Sequence, residues 1–327
     1  MTDICMYFQV HQPIRLNNYS VFDIGKRKNY FNDRANRFYI NRVSDKCYIP
    51  ANKILLSLIK KHKGKFKFSF SITGVFLEQI EKFRPDVLRS FRRLIDTGCV
   101  ELFGETYYHS LAYLISKKEF REQVKLHKEK MIETFGFEPV TFRNTEAMYS
   151  NDIAKTVERM GFRAIISEGL SHILGWRSPN YLYTPPDSRI RVFLRNYRLS
   201  DDIAFRFSSR DWDGFPLTAD KYASWLNTTE GEIINIFIDY ETFGEHQWKE
   251  TGIFEFLLHL PREILKYKNL GFRTPSEILH TVKPVGIYDV PHISSWADIQ
   301  RDLSAWLENS MQQQSFGEIK SLERIIK

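Results

Sequence analysis

Hydrophobic positions along the chain follow two periods, and the switches between them mark the elements. Ile4, Met6, Phe8 and Val10 alternate with Cys5, Tyr7, Gln9 and His11, the period of two expected of a strand, which Pro13 ends. From there to about Ile49 a stretch rich in Asn, Tyr, Arg and Lys shows neither period, so a long loop is expected. Pro50 opens a helix carried by Ile54, Leu55, Leu58 and Ile59, which Gly64 closes. Phe66, Phe68, Phe70 and Ile72 then alternate as a second strand up to Gly74. Pro85 opens a helix on Val87, Leu88, Phe91, Leu94 and Ile95, Gly98 ends it, and residues 99–103 read as the third strand.

Ser116 with Glu119 three residues on is a capping-box signal for a helix bearing Phe120, Val124, Met131 and Phe135 as far as Gly136. A fourth strand follows at 140–142. Asn151 is the expected cap of a helix on Ile153, Val157 and Met160, stopped by Gly161. Strands five to seven fall at 163–167, 190–195 and 233–239. The last is nearly unbroken Ile and Phe, as a strand buried on both faces of a parallel sheet requires. Beyond it, 254–267, interrupted by Pro261, and 296–326 read as helices.

Seven strands separated mostly by helices, with no repeat and no Ser/Gly linker, predict an α/β fold. The expected form is a single βα barrel over residues 1–250, with a C-terminal helical region, 251–327, packed on it. An open doubly wound sheet is the alternative. No Gly-x-Gly-x-x-Gly follows the first strand and no phosphate loop is present, so that sheet would lack its nucleotide-binding signature.

Composition is ordinary for a globular chain apart from a 15% aromatic content. Aromatic faces stack on flat ligands, although most must fill the core. A net charge of +7 and a pI near 9.1 raise nucleic acid as a partner. The basic residues are dispersed, however, with only short clusters at Lys26-Arg27-Lys28 and Lys60-Lys61 and no accompanying motif, so a solvated surface is expected. Cys5, Cys47 and Cys99 have neither metal spacing nor an even disulfide framework. With no leader in Met-Thr-Asp-Ile-Cys and no run of membrane-spanning length, the expectation is a soluble cytoplasmic protein without a membrane partner. Nothing in the sequence sets the oligomeric state.

In βα barrels reactive groups stand just past the C-terminal ends of strands. That rule brings Gln9 and His11 from strand one, Glu105 and His109 from strand three, Arg143 and Glu146 from strand four, and Asp239 and Glu241 from strand seven to one mouth. Trp176, Trp212, Trp248 and Trp296 lie in neighbouring loops, and Glu245 and His246 follow Gly244. Two carboxylates facing each other in an aromatic pocket suit glycosidic bond cleavage, one ionised to attack and one protonated to donate. Environment splits their pKa values.

Five ordered stretches resemble the motifs of glycoside hydrolase family 57, its α-amylase branch in particular. They are Phe8-Gln9-Val10-His11-Gln12-Pro13, the run from Glu101 to His109, Phe142-Arg143-Asn144-Thr145-Glu146, the run from Asp239 to His246, and Ser295-Trp296-Ala297-Asp298. The resemblance spans almost the whole chain. It implies an α/β fold in the form of an irregular seven-stranded (β/α)7 barrel, an incomplete TIM barrel, and retaining hydrolysis or transfer of α-1,4-glucans or maltooligosaccharides, with the nucleophile falling on Glu146 and the acid/base on Asp239. It also implies sugar contacts at His11, Glu105, His109, Trp248 and Trp296; Arg143, Glu241 and His246 complete the expected substrate site. No metal and no other cofactor is expected. The sequence ends shortly past Trp296, so a smaller helical cap than is usual in that family is anticipated.

A 4-α-glucanotransferase and a branching enzyme remain open, because all three pass through the same glycosyl-enzyme. A metal-dependent polysaccharide deacetylase is the rival enzyme, but its Asp-Asp pair after the first strand and its His-x-x-x-His are absent, since Tyr113 stands four residues after His109. A non-catalytic carbohydrate-binding protein would need the aromatic platforms without the opposed acids.

Overall fold

The computed structural model describes residues 1–325. Seven parallel strands form the frame: β1 (Thr2–Val10), β2 (Phe68–Ile72), β3 (Val100–Phe103), β4 (Thr141–Phe142), β5 (Ala164–Glu168), β6 (Arg191–Arg195) and β7 (Ile233–Asp239). β1 lies at the centre, pairing with β2 on one side and with β7 along seven residues on the other. β2 continues to β3, and β5 joins β4 to β6. Two seams are thin. Between β6 and β7 the register is the single pair Arg195 and Asn235, and between β3 and β4 only an isolated bridge from Gly104 to Phe142 spans the gap. The result is the incomplete (β/α)7 barrel that the family resemblance implies. Three short strands were not anticipated: Leu270–Phe272 beside the start of β1, and Tyr183–Thr184 with Gly286–Ile287 at the edge of β6.

The period of two sorts β1 into two environments. Ile4, Met6, Phe8 and Val10 join the helix-facing core with Phe68, Phe70 and Ile72. Cys5 and Tyr7 join Phe103, Ile166, Phe193 and Phe237, the side chains of five strands that meet inside the ring. Tyr7 stacks on Phe103 with centroids 4.8 Å apart, closing the barrel floor beneath the mouth.

The stretch expected as a loop up to Ile49 is helical in its second half. Asn32 caps a helix at Asp33–Val43 by accepting from the Ala35 amide at 2.9 Å. Its inward stripe is only Asn36, Ile40 and Val43, one of them polar, while Phe38 faces out. A π-turn at Ser44–Tyr48 leads directly into the helix Ile49–Lys61. A second unanticipated helix, Gly74–Phe83, starts where Gly74 was expected only to end a strand, capped by the Thr73 hydroxyl. Ser150, not Asn151, caps Asn151–Arg159. In place of one helix over 296–326, residues 296–303 are irregular and are followed by Ser304–Leu307 and Ser310–Ile325; Ile326 lies outside the described residues. Pro261 does not break its helix, which runs through Ile253–Ile264 and buries Phe256, Leu257 and Leu260 in the same core as β1 and β2. Among the described residues no helix is long and apolar enough to cross a membrane.

Glycine is required at 74 because a Cβ there would sit 2.3 Å from the Tyr107 ring, whose hydroxyl is held by Glu78 at 2.6 Å. Gly74→Ala should therefore destabilise the fold by about 1–3 kcal/mol through overpacking. The check is the midpoint of urea unfolding; an unchanged midpoint would mean that the ring moves aside freely.

Candidate active site

Chains leave the strands on one side of the ring, and polar side chains converge there in layers. The Tyr7 hydroxyl donates to Gln9 Oε1 at 2.6 Å, and Gln9 Nε2 lies 3.4 Å from both oxygens of Glu105. Ser71 at the end of β2 also donates to Glu105, which is fully buried. His109, four residues further on and held at φ 55°, stands between Glu105 and Glu146: Nδ1 is 3.3 Å from Glu105 Oε2 and Nε2 is 3.0 Å from Glu146 Oε1. His11 stacks on His109 at 4.3 Å and reaches Thr73 through Nδ1 at 3.0 Å.

Glu146 follows β4 in a backbone conformation that non-glycine residues rarely adopt. Its φ is 52° and that of Ala147 is 48°, two successive left-handed residues costing about 1–3 kcal/mol each. A distant segment holds them. The Ser295 hydroxyl and the Trp296 amide both donate to the Glu146 carbonyl, at 2.9 and 3.2 Å. Tyr149 and Ser294 exchange amide bonds at 3.0 and 2.8 Å, and the Asn151 amide donates to the Val290 carbonyl while the Val290 amide donates to Asn151 Oδ1, each at 3.0 Å. The Trp296 indole then donates to Glu146 Oε2 at 3.1 Å, so each carboxylate oxygen has one N–H donor.

The electrostatics of the two acids diverge. Burial alone would raise the Glu146 pKa, but the His109 hydrogen bond, the Arg143 charge and the Trp296 indole outweigh it and hold the carboxyl down to about 2. Asp239, at the end of β7, is raised above the usual range, first by burial and then by the Glu146 charge, against the opposing influence of Arg143. The two acids line one small cavity of about 200 Å³ with Arg195, Asp201, Trp296 and Arg301. Glu241 sits behind Asp239, bonded by the Tyr48 hydroxyl that the π-turn delivers. Burial and the Asp239 charge push its pKa up to about 8.

Not every expected site residue joins this cluster. His246 is exposed on the rim, close enough to Asp239 for a protonated ring to stabilise that carboxylate. Trp248 is 62% exposed and lines a different cavity, about 770 Å³, beside Lys46, Pro50, Lys53 and Phe254. This larger cavity contains none of the paired acids, and chemistry rather than size identifies the site. Trp176 is almost fully exposed, and Trp212 packs edge-on against Trp225. Three charged residues of the cavity were not anticipated. Arg195 ends β6, ion-paired with Glu168 at 3.2 Å and Asp201 at 2.5 Å, and the strand-end rule applied to that strand finds it. Asp201 and Arg301 carry no such signal. Among the described residues no group of three His, Cys, Asp or Glu side chains is arranged to hold a metal ion.

A parallel βα barrel whose single small cavity holds two carboxyls, one with its pKa lowered and one with its pKa raised, has the architecture of a glycoside-cleaving enzyme. The chain belongs to glycosyl hydrolase family 57, whose profile matches residues 5–291. A Methanocaldococcus jannaschii protein carrying the provisional name alpha-amylase is 51% identical over 332 residues, covering 99% of this chain and 70% of its own length. Among solved structures, the branching enzyme of Pyrococcus horikoshii superposes with a TM-score of 0.70 at 15% identity, over 96% of this chain and 76% of that one. The 4-alpha-glucanotransferase of Thermococcus litoralis gives 0.67 at 20% identity, over 93% of this chain but only 41% of that one.

Glu241 supplies a test of this electrostatic picture. A carboxyl whose folded pKa is raised from 4.5 to about 8 contributes stability that is fully present below the unfolded value and is lost as pH rises through the folded one. Glu241→Gln removes that loss, so its melting temperature should gain on wild type between pH 5 and pH 9. Parallel stability curves would show that the carboxyl is ionised throughout.

Proposed function

We propose that this chain is a retaining glycoside hydrolase of α-1,4-glucans, with Glu146 as nucleophile and Asp239 as general acid/base. The observation that carries the reading is the opposed protonation bias of two carboxyls sharing one cavity. The Glu146 carboxylate attacks the anomeric carbon while Asp239 protonates the departing glycosidic oxygen, leaving a glycosyl ester on Glu146 and Asp239 ionised. Asp239 then takes a proton from water as the water oxygen attacks the same carbon, and Glu146 leaves as a carboxylate. The glucan substrate class is supported by the names of the relatives, an alpha-amylase, a branching enzyme and a 4-alpha-glucanotransferase. Arg143, which has no exposed surface, is assigned to balancing the charge of the acids, and His11 and His246 to holding hydroxyls of the reacting sugar.

Glu146→Gln is isosteric and should leave the fold intact while lowering kcat by about a thousandfold or more; wild-type turnover in this variant would remove Glu146 from the mechanism. Asp239→Ala should be rescued most by activated aryl glycosides, which depart without a proton. NMR of the first-formed product should show the α anomer, and the β anomer would overturn retention. Incubation with maltoheptaose gives shorter products for a hydrolase; products longer than the substrate would assign transfer to a sugar hydroxyl instead. Activity should survive EDTA, whereas a loss restored by a divalent ion would support the deacetylase reading.

A further inference from the structure

Glu105 is 0% exposed, which removes it from direct contact with a sugar. It is instead the best-supplied acceptor in the barrel, receiving the Ser71 hydroxyl, the Gln9 amide and His109 Nδ1, with Arg143 Nη1 at 4.0 Å. A carboxylate so deeply buried keeps its charge only where matching cations and donors surround it. His109 has a carboxylate oxygen at each ring nitrogen, 3.3 Å to Glu105 and 3.0 Å to Glu146. A neutral imidazole carries one N–H, so one of its nitrogens would turn a lone pair toward an anion. Only the doubly protonated ring satisfies both ends. One competing arrangement exists, because Arg143 Nη1 also lies 3.3 Å from His109 Nδ1 and could donate to a neutral ring. That choice would leave Glu105 and Glu146 sharing one cation and would forfeit the bond to Glu105.

From these contacts we infer that Glu105 is a positioning residue that holds His109 as an imidazolium clamp on Glu146, and that the clamp serves chiefly the second half of the reaction. The groups facing His109 are Glu105 at the end of β3, Glu146 and Arg143 after β4, and His11 after β1, with Asp239 at longer range. Burial disfavours the ring's charge, yet the bonds to Glu105 and Glu146 raise its pKa. Burial and the His109 charge together lower that of the stacked His11 to about 3, so the two stacked rings are biased in opposite directions.

The consequence for rate rests on the reading of Glu146 as nucleophile. An imidazolium on Oε1 stabilises the free carboxylate more than the glycosyl ester. It therefore makes Glu146 a less eager attacking group and a better leaving group. When water attacks the anomeric carbon, the electron pair of the breaking ester bond returns to Glu146, where the His109 N–H and the Trp296 N–H already stand.

Two measurements decide. In wild type at pH 7.5, nitrogen-15 NMR should show both His109 ring nitrogens protonated, and in Glu105→Gln the ring should be neutral at the same pH. This arm needs no turnover and no assumption about substrate, so its outcome is independent of the Glu146→Gln test. A neutral wild-type ring, or an imidazolium that persists in Glu105→Gln, would overturn the relay. With an activated aryl α-glycoside, Glu105→Gln should lower kcat tenfold or more and lower KM in parallel, leaving kcat/KM within about threefold as the glycosyl-enzyme accumulates. A fall in kcat/KM with KM unchanged would overturn the assignment to the second step. Glu105→Asp, which keeps the charge, should recover part of the loss. If neither variant folds, the wild-type titration still tests the imidazolium.

Discussion

The mouth of the barrel depends on one guanidinium taken wholly out of water. Arg143 has no exposed surface, and its Nε and Nη2 find no hydrogen-bond partner among the described residues. A buried cation costs several kcal/mol unless charge nearby compensates it. Here the compensation acts largely through space, from Glu105, Glu146 and Asp239, and each of those acids is in turn lowered by the same guanidinium. The ring of Trp296 lies 5.0 Å from the guanidinium carbon and adds a cation–π contact. The acids, the imidazole and the arginine thus form one coupled unit in which no charge can change without moving the others.

Within that unit, environment separates two carboxyls of similar chemistry. Glu146 stays anionic because N–H donors reach both of its oxygens. Asp239, on the same cavity and beside the anionic Glu146, has its proton favoured by desolvation. Donors create the difference: the strained turn after β4 brings the Glu146 oxygens to His109 and Trp296 while 30% of its side chain stays exposed, whereas burial and the Glu146 charge act on Asp239.

The frame was legible in the sequence because all seven strands carry the period of two or a short apolar run, and most of them end at or close to a Pro, a Gly or an acid. The helix at Asp33–Val43 was not, since a stripe of Asn36, Ile40 and Val43 among charged and aromatic neighbours gives no period to count. The helix at Gly74 was hidden by a glycine that serves the Tyr107 ring rather than a turn. At the site, the strand-end rule gathered Glu105, His109, Arg143, Glu146 and Asp239 without any structure, but it could not rank them. That Glu105 faces the barrel interior while Glu146 faces the cavity depends on a tight turn whose left-handed backbone no residue there announces. Trp248 shows the complementary failure: it follows Glu245 closely in sequence, yet Lys46, 5.9 Å from its ring, belongs to the outer helices.

The antiparallel clamp of residues 289–296 on 146–151 has a consequence in time as well as in space. Synthesis delivers Glu146 roughly half a chain before its clamp, and the first four strands leave the ribosome with the Glu146 turn unsupported. Its two left-handed residues have no reason to hold that conformation until Ser294, Ser295 and Trp296 emerge and pair. Competence is therefore acquired late, in a single docking event, by a barrel whose other walls have already been made. A nascent chain released before that event would carry every strand of the barrel frame and still lack a fixed Glu146 carboxylate.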